Sequence, residues 1–97
     1  MKPVDIRAEA ELDVVEAALW YEDEQGGLGG EFSLEVERTV SQISENPLRF
    51  RERELGVRMA MVDRFPYGLY FVDEPEKITL LAVLHLRRNP EVWKQRR

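Results

Sequence analysis

The sequence contains no cysteine and only one histidine, His85. Without thiols, the chain cannot form disulfide bonds, thiolate metal sites or thiol-based redox switches. With a single imidazole, only carboxylates remain as metal ligands, and they show no spacing typical of a zinc or calcium motif. The sequence therefore predicts a protein without a metal or a cofactor, and its composition suits a reducing compartment.

Long apolar runs are also missing. No stretch approaches the ~20 apolar residues that cross a bilayer, and residues 1–15 are too rich in acidic side chains for a signal peptide. We therefore expect a soluble, cytoplasmic protein with no membrane partner. A length of 97 residues predicts one domain that spans residues 1–97.

Basic side chains are scarce in the first half of the chain. Residues 1–48 hold 3 basic and 12 acidic side chains, whereas residues 49–97 hold 11 basic and 7 acidic ones, and the net charge is −5. Such asymmetry indicates that one half of the protein meets an anionic or acidic partner. The alternative is that two solvated faces simply differ in sign.

Hydrophobic periodicity and turn residues predict an α+β protein with the order β-α-α-β-β-β-α. The predicted elements are a strand at 3–7, helices from 8 to about 24 and from 28 or 31 to 45, an arginine-rich connection at 48–54, strands at 57–62, 65–72 and 78–86, and a short helix at 90–95. Short connections make the three later strands antiparallel neighbours. The strand at 78–86 is apolar on both faces, so we expect it to be central and covered on both sides.

The two long helices are expected to form a hairpin that covers one face of the sheet. The apolar face of the first helix is predicted to contain Ala8, Leu12, Val15 and Leu19, widened by Ala10, Val14, Ala17 and Tyr21. That of the second contains Phe32, Val36, Val40 and Ile43. The glycines between the helices form a hinge, because a phosphate-binding loop requires a preceding strand or a following lysine. Trp93 is expected to pack back from the last helix.

Several short segments occur in a characteristic order. They are Ala8-Glu9-Ala10-Glu11-Leu12, Trp20-Tyr21, Gly27-Leu28-Gly29 followed by Phe32, Ile43 with Asn46-Pro47, Val57-Arg58, Arg64 to Tyr70, His85 to Pro90, and Trp93. In this combination the sequence resembles the RelE/ParE toxin family, which includes the plasmid stabilisation proteins. The residues of these segments resemble the ParE-like group more closely than the RelE-like group.

The resemblance implies a RelE/ParE-like fold, with an N-terminal strand and a helical hairpin packed on an antiparallel sheet and a short C-terminal helix. It also implies a bacterial toxin of a type II toxin–antitoxin system, held inactive by a cognate antitoxin. ParE-like members poison DNA gyrase and are not enzymes, and this is the function we expect. The alternatives are a RelE-like, ribosome-dependent endoribonuclease that cuts messenger RNA, and a regulatory member that only pairs with its antitoxin.

Cleavage of RNA by its own 2′-hydroxyl requires a base, an acid and cations that stabilise the phosphorane. If the protein is a ribonuclease, the catalytic candidates are His85, Arg87, Arg58 and Tyr67. Strand alternation would place His85 and Arg87 on one face, and neighbouring strands would bring Arg58 near Tyr67. The alternative for His85 is a structural, hydrogen-bonded histidine.

The remaining arginines are candidates for binding a target or a phosphate, since the guanidinium fork suits that group. They are Arg88, Arg64, Arg49, Arg51 and Arg53. Glu52 and Glu54 interrupt the arginine-rich connection and weaken its field. An alternative for Arg87 and Arg88 is that they tether the last helix through Glu91.

Trp20 and Tyr21 are candidates for antitoxin binding, because consecutive helix positions direct one of them to the sheet and the other outward. We expect the antitoxin to lie along the helical hairpin or a sheet edge, through an amphipathic segment that folds on binding. A homodimer or a toxin–antitoxin heterotetramer is left open by the sequence.

Overall fold

The computed structural model describes residues 1–97 and confirms the predicted order of elements. The elements are β1 (Val4–Ile6), α1 (Ala8–Glu24), α2 (Leu28–Glu45), a single 3₁₀ turn (Pro47–Arg49), β2 (Val57–Met61), β3 (Tyr67–Asp73), β4 (Ile78–His85) and α3 (Glu91–Gln95). No helix combines the length and the apolar character needed to cross a bilayer.

The strands form one sheet in the order β1-β4-β3-β2. The three later strands pair antiparallel, as predicted. The expectation of an antiparallel sheet fails only at β1, which pairs in parallel with β4, with Val4 opposite Ile78. The chain between β1 and β4 includes the whole helical hairpin and two strands, and parallel pairing requires such a long crossover.

The sheet separates two apolar cores, and β4 is buried along nearly its whole length, as expected of a central strand. On one face the hairpin packs against the sheet around the fully buried Phe32, Leu69 and Phe71. Burial of each such side chain contributes roughly 1.5–3 kcal/mol. On the other face Trp93 of α3 stacks on Tyr70 with ring centroids 5.3 Å apart, which confirms that α3 packs back.

The prediction for the inward face of α1 is only partly correct. Ala10 and Ala17 are buried, with 0% and 7% exposure, whereas Leu12, Val15 and Leu19 are 58%, 52% and 63% exposed. The small alanines allow α1 to lie close against β4, and the larger residues occupy the flanks of the helix. The sequence pattern placed both sets of residues on one inward face, whereas in the structure Ala10 and Ala17 are buried and Leu12, Val15 and Leu19 are exposed. On α2 the predicted stripe is correct, since Phe32, Val36 and Ile43 are all buried and Val40 packs beside them.

A β-bulge in β4 determines which face carries His85. Tyr70 pairs with Ala82 and Phe71 with Leu80, so Leu81 is the extra residue. Leu81 and Ala82 both belong to the core under α3, and Val83 returns to the core under the hairpin. By alternation His85 then lies on the hairpin side of the sheet, at the end of the strand.

Candidate functional site

A cleft of about 410 Å³ lies between α1 and the end of β4, and we call it the His85 cleft. One wall is α1, and the opposite side is formed by the ends of β3 and β4 and by two C-terminal arginines. The side chains that define the cleft are Glu9, Leu12, Asp13, Glu16, Trp20, Tyr67, His85, Arg88 and Arg96. Two of the four predicted catalytic residues, His85 and Tyr67, therefore meet here.

His85 lies directly opposite Tyr67 across the β3–β4 pair, and their rings meet edge to face with centroids 5.4 Å apart. The backbone N–H of Arg87 donates to Nδ1 of His85 at 3.0 Å. In the neutral ring the proton is therefore on Nε2. One nitrogen is then a donor and the lone pair of the other is occupied, so this imidazole has no free acceptor for a substrate proton.

The hydroxyl of Tyr67 is held in its neutral form. Burial raises the pKa of Tyr67 above its ordinary value, the Arg88 guanidinium lowers it by a smaller amount, and the Asp13 carboxylate raises it again. A neutral phenol is a hydrogen-bond donor and a weak acid near neutral pH. It does not supply the base that His85 lacks.

Asp13 and Arg96 form an ion pair that closes one end of the cleft, and we call it the Asp13–Arg96 latch. The guanidinium donates to both carboxylate oxygens, at 2.6 and 3.2 Å, and to the carbonyl of Leu81 at 3.1 Å. Asp13 also accepts the backbone N–H of Val83 at 2.9 Å. The hydrogen bond to Asp13 is the main reason that the pKa of Arg96 is raised.

The latch replaces a missing strand. β1 ends at Ile6, opposite Leu80, so β4 has no strand partner on that side from Leu81 onward. An unpaired buried N–H or C=O costs free energy comparable to a lost hydrogen bond. Asp13 and Arg96 satisfy one such donor and one such acceptor. Their charges therefore complete the sheet edge, which leaves Arg88 as the one cleft arginine without a carboxylate partner.

Arg58 does not join the His85 cleft, and the expected cluster with Tyr67 is wrong. The two strands are neighbours, but Arg58 is opposite Phe71, whereas Tyr67 is four positions away on β3. At ~3.3 Å per residue the offset is about 13 Å along the strand. Arg58 donates instead to the carbonyl of Phe50 at 2.6 Å and pairs with Glu52 at 3.7 Å.

Arg87 is also outside the predicted arrangement. β4 ends at His85, so strand alternation does not extend to Arg87, and its exposed side chain has no carboxylate partner. The alternative tether through Glu91 is absent as well, because Glu91 approaches Lys94 at 3.9 Å rather than Arg87 or Arg88. Only the backbone amide of Arg87 contributes, through its hydrogen bond to His85.

The other predicted phosphate ligands are scattered. Arg64 is held by two carboxylates, Glu31 at 3.0 Å and Glu35 at 3.2 Å, and the hydrogen bond to Glu31 is the main reason its pKa is raised. Arg49 lies over the ring of Phe50, with its guanidinium carbon 5.1 Å from the centroid. The side chains of the connection 49–53 are exposed apart from Phe50, and those of Arg49, Arg51 and Arg53 form no ion pair.

Trp20 and Tyr21 point in different directions, one outward and one toward the sheet, as predicted. Tyr21 points inward and packs against Phe32 and Phe65, with ring centroids 5.3 and 4.9 Å away. Trp20 is 58% exposed and lines the His85 cleft. Of this pair, only Trp20 has a large surface available to a partner.

A second concave surface runs between α1 and α2, and we call it the hairpin groove. Two cavities of about 420 and 320 Å³ share Val14, Val15 and Ser33, so they form one continuous groove. The side chains along it are mainly apolar or small, with Glu11 and Glu37 at its rim. Val15 and Leu19, which the sequence placed on the inward face of α1, line this groove instead.

The glycine hinge at one end of the groove has its amides satisfied internally. The Glu22 carboxylate accepts the N–H of Gly27 at 2.8 Å and that of Gly29 at 3.0 Å. Gly27 begins α2 with a φ of +91°, a left-handed conformation suited to glycine. The hinge therefore has the structural role that the sequence predicted. Elsewhere in the chain, no three carboxylates or imidazoles come together in a group that could hold a metal ion.

Comparison with known proteins gives a result at the level of structure alone. No family model matches the sequence, and no curated protein is significantly similar to it. The structure is similar to a chain of the chromosomal ParDE toxin–antitoxin system from P. aeruginosa, with a TM-score of 0.79 and 18% sequence identity, over 88% of this chain and 96% of that one. The likeness confirms the fold that the sequence resemblance implied: this chain has a RelE/ParE-like α+β fold.

Proposed function

We propose that this protein is the toxin of a bacterial type II toxin–antitoxin system, neutralised in the cytoplasm by a cognate antitoxin. The observation that carries the proposal is the RelE/ParE-like fold, shared with a chain of a ParDE system over nearly the full length of both chains. The open hairpin groove adds support, because exposed apolar surface arranged along a groove is typical of a protein-binding site.

For the target, we propose that the protein binds and poisons DNA gyrase rather than cutting RNA. The state of the candidate catalytic groups supports this choice. His85 has no free acceptor nitrogen, and Arg58 and Arg64 are paired with carboxylates. The α1 wall of the cleft carries Glu9 and Glu16, which would repel an RNA phosphate.

A binding poison needs surface complementarity rather than acid–base chemistry. The exposed Trp20 and the unpaired Arg88 lie in the same cleft, and tryptophan and arginine are the residue types that dominate binding energy at interfaces. We therefore assign the His85 cleft to the target and the hairpin groove to the antitoxin.

The test of this target is a supercoiling assay with purified gyrase and relaxed plasmid. The wild-type protein should inhibit supercoiling and cause linear DNA to accumulate. Arg88→Glu should weaken this effect, whereas Arg51→Glu, a charge reversal at an exposed arginine far along the chain from the cleft, should not. Normal supercoiling with a large excess of wild-type protein would contradict the gyrase proposal.

A ribonuclease remains the second candidate because His85 and Tyr67 are adjacent and Arg88 lies in the same cleft. If the protein is a ribonuclease, it should cleave messenger RNA on ribosomes, and His85→Ala should abolish cleavage without loss of the fold. Arg88→Ala should then also reduce cleavage, because Arg88 is the arginine beside His85 and Tyr67 in the cleft. Intact ribosome-bound messenger in the presence of wild-type protein would exclude this candidate.

The toxin role itself is tested by controlled expression in bacteria without the antitoxin. We expect growth arrest and a DNA damage response, both relieved by co-expression of the antitoxin. Normal growth at high expression of folded protein would instead favour a regulatory member of the family that only pairs with its antitoxin.

A further inference from the structure

We infer that the end of β4 binds one residue of an extended, basic segment of the target protein, which runs parallel to β4 as β1 does. The residue would form a β-bridge inside the His85 cleft, whose volume of about 410 Å³ accommodates a short segment. The assignment of the segment to the target rests on the proposed function. The bridge itself rests on the backbone groups that β4 leaves without a partner and on the charges of the cleft.

The outer edge of β4, on the side away from β3, is covered by β1 only at its start. There the N–H of Ile78 donates to the C=O of Pro3 at 2.9 Å, and the C=O of Leu80 accepts the N–H of Arg7 at 3.2 Å. In a regular strand every second residue would continue this edge, but the bulge at Leu81 inserts one extra residue. The outward-facing residues beyond the bulge are therefore the odd-numbered ones.

The hydrogen bonds around Val83 and His85 agree with this direction. His85 is opposite Tyr67, whose C=O accepts the N–H of Val62 on the β2 side at 2.9 Å, so the backbone groups of the two paired residues point away from each other. On the outer side, the N–H of Val83 donates to Asp13 at 2.9 Å. Val83 and His85 therefore present their backbone groups to the His85 cleft, which both residues line.

Two of these four backbone groups have no partner. Asp13 accepts the N–H of Val83, and the C=O of His85 accepts the N–H of Arg88 at 2.9 Å. The C=O of Val83 and the N–H of His85 are left on an edge where β4 has no strand neighbour. An unpaired backbone group away from water costs free energy comparable to a lost hydrogen bond, so a partner that pairs both groups gains that free energy.

The two free groups match one residue of a parallel strand. In a parallel pair, the residue opposite Leu84 donates its N–H to the C=O of Val83 and accepts the N–H of His85. An antiparallel strand would spread the same two bonds over two residues and would turn the C=O of one of them toward the Asp13 carboxylate. Two acceptors that face each other repel, so parallel pairing, the direction of β1, is favoured.

The charges of the cleft favour a basic side chain on the segment. Glu9 and Glu16 line the cleft and take part in no ion pair, whereas Arg88 is its one cation without a carboxylate partner. The residue that follows the bridge lies opposite His85, on the hairpin side of the sheet, where α1 carries Glu16 and, one turn later, Trp20. A carboxylate and the face of an indole ring both attract a cation.

The test titrates capped peptides of about five residues into isotope-labelled full-length protein and follows the backbone amides by NMR. The parent peptide has β-branched side chains, which favour an extended backbone, and a lysine directly after its central residue. We expect the amide proton of His85 to move downfield and to exchange more slowly as the peptide binds. The amide of Leu84, which faces β3, is the internal control and should change less.

Methylated peptides distinguish a backbone bridge from contacts of side chains alone. N-methylation of the central residue removes the donor for the C=O of Val83 and should weaken binding at least about tenfold. N-methylation of the following lysine is the matched control, because in a parallel bridge its N–H points away from β4, and binding should stay within about threefold of the parent. Glutamate in place of this lysine should weaken binding about threefold, since repulsion at Glu16 replaces attraction.

Two substitutions at one position test the N–H of the protein. His85→Ala keeps the backbone N–H and should bind the parent peptide within about threefold of wild type. His85→Pro removes this N–H, which no strand of the sheet uses, and should weaken binding at least about tenfold. Thermal unfolding checks that both variants are folded, and the methylated peptides decide the question with wild-type protein if the proline variant does not fold.

Several results would overturn the inference. They are failure of the parent peptide to bind wild-type protein, equal losses from the two methylations, a larger loss from methylation of the lysine, as an antiparallel strand would give, and equal binding by folded His85→Ala and His85→Pro. Inhibition of gyrase is a separate readout. A protein that binds the parent peptide but leaves gyrase active would refute the gyrase target alone, whereas a gyrase poison whose His85 amide does not respond to the peptide would refute the bridge alone.

Discussion

The two flanks of α1 border concave surfaces of opposite character. The His85 cleft holds the histidine, a tyrosine, a tryptophan and two arginines, the residue types from which active sites are built. The hairpin groove on the other flank holds aliphatic side chains, small residues and three glutamates. By composition alone, the cleft would be chosen as the functional surface and the groove would be ignored.

The hydrogen bonds reverse much of that ranking. In the cleft, Asp13 and Arg96 complete the edge of the sheet, and His85 is bound to the amide of Arg87. In the groove, apolar side chains stay exposed and the rim carboxylates have no ion partner. A side chain already used in folding is unavailable to a ligand, so the surface with the less reactive residues has more capacity for a partner.

Among the variants that test this comparison, Asp13→Ala is expected to change the unfolding free energy most. The substitution leaves the half-buried Arg96 without its counter-ion and the Val83 N–H without an acceptor. Loss of one partner of such a pair costs about 3 kcal/mol of unfolding free energy, measurable by urea denaturation. Glu16→Ala, an exposed carboxylate in the same cleft, is the control and should change the unfolding free energy by less than about 0.5 kcal/mol. Equal losses for the two variants would show that Asp13 has no special structural role.

The next largest effect distinguishes two adjacent glycines. A Cβ at Gly29 would lie 2.4 Å from the backbone oxygen of Ala18, so Gly29→Ala must push α1 and α2 apart at a cost of about 1–3 kcal/mol. Gly30→Ala enters open space and should stabilise the helix by about 0.5 kcal/mol, because glycine loses more backbone entropy on folding. Thermal unfolding of the two variants should therefore shift in opposite directions. Stabilisation by both substitutions would mean that the helices do not meet at Gly29, and destabilisation by both would mean that Gly30 does not face open space.

Much of the fold was predictable from the sequence because its signals are local. Gly26-Gly27 and Asn46-Pro47 end the two long helices where the sequence placed the boundaries, and short turns made β2, β3 and β4 antiparallel neighbours. The pairing of β1 was not predictable in the same way. It depends on how a long crossover returns over the sheet, which no local pattern encodes.

The candidate site was less predictable because it depends on register and on partners distant in sequence. Arg58 is on the expected strand but is four residues too far along it to meet Tyr67. The bulge at Leu81 is hidden in a strand that is apolar on both faces. Arg64 is neutralised by Glu31 and Glu35, more than 25 residues earlier in the chain. No spacing rule in one sequence indicates such contacts.

A smaller effect is expected on the exposed stripe of α1. Leu19→Ser removes a side chain that is 63% exposed, so the unfolding free energy should change by less than about 0.5 kcal/mol. The same variant should weaken binding of the antitoxin that we propose for the hairpin groove, because Leu19 lines this groove. Ile43→Ala is the contrasting control, since Ile43 is 1% exposed and its truncation should cost about 2–5 kcal/mol. A large loss of stability in Leu19→Ser would show that the stripe serves the fold rather than a partner.

The smallest effect concerns the charge of the cleft. The pKa of Tyr67 is raised mainly by burial, and Arg88 partly offsets this. A raised pKa means that the folded protein favours the neutral phenol. The resulting stability is therefore fully present below pH ~10, the pKa of an unperturbed tyrosine, and is lost as the pH rises through the folded pKa. Arg88→Gln removes the offsetting cation, so Tyr67 should form its phenolate at a still higher pH.

Ultraviolet difference absorbance of the phenolate measures this titration, and Tyr67→Phe identifies the contribution of Tyr67 among the three tyrosines. Arg87→Gln is the matched control, because Arg87 is also exposed but lies outside the cleft. A shift with Arg88→Gln and none with Arg87→Gln would show that Arg88 directs its charge into the cleft, where a bound target would meet it. Equal shifts would mean that the two arginines act only through the general field of the protein, and the assignment of Arg88 to target binding would lose its electrostatic basis.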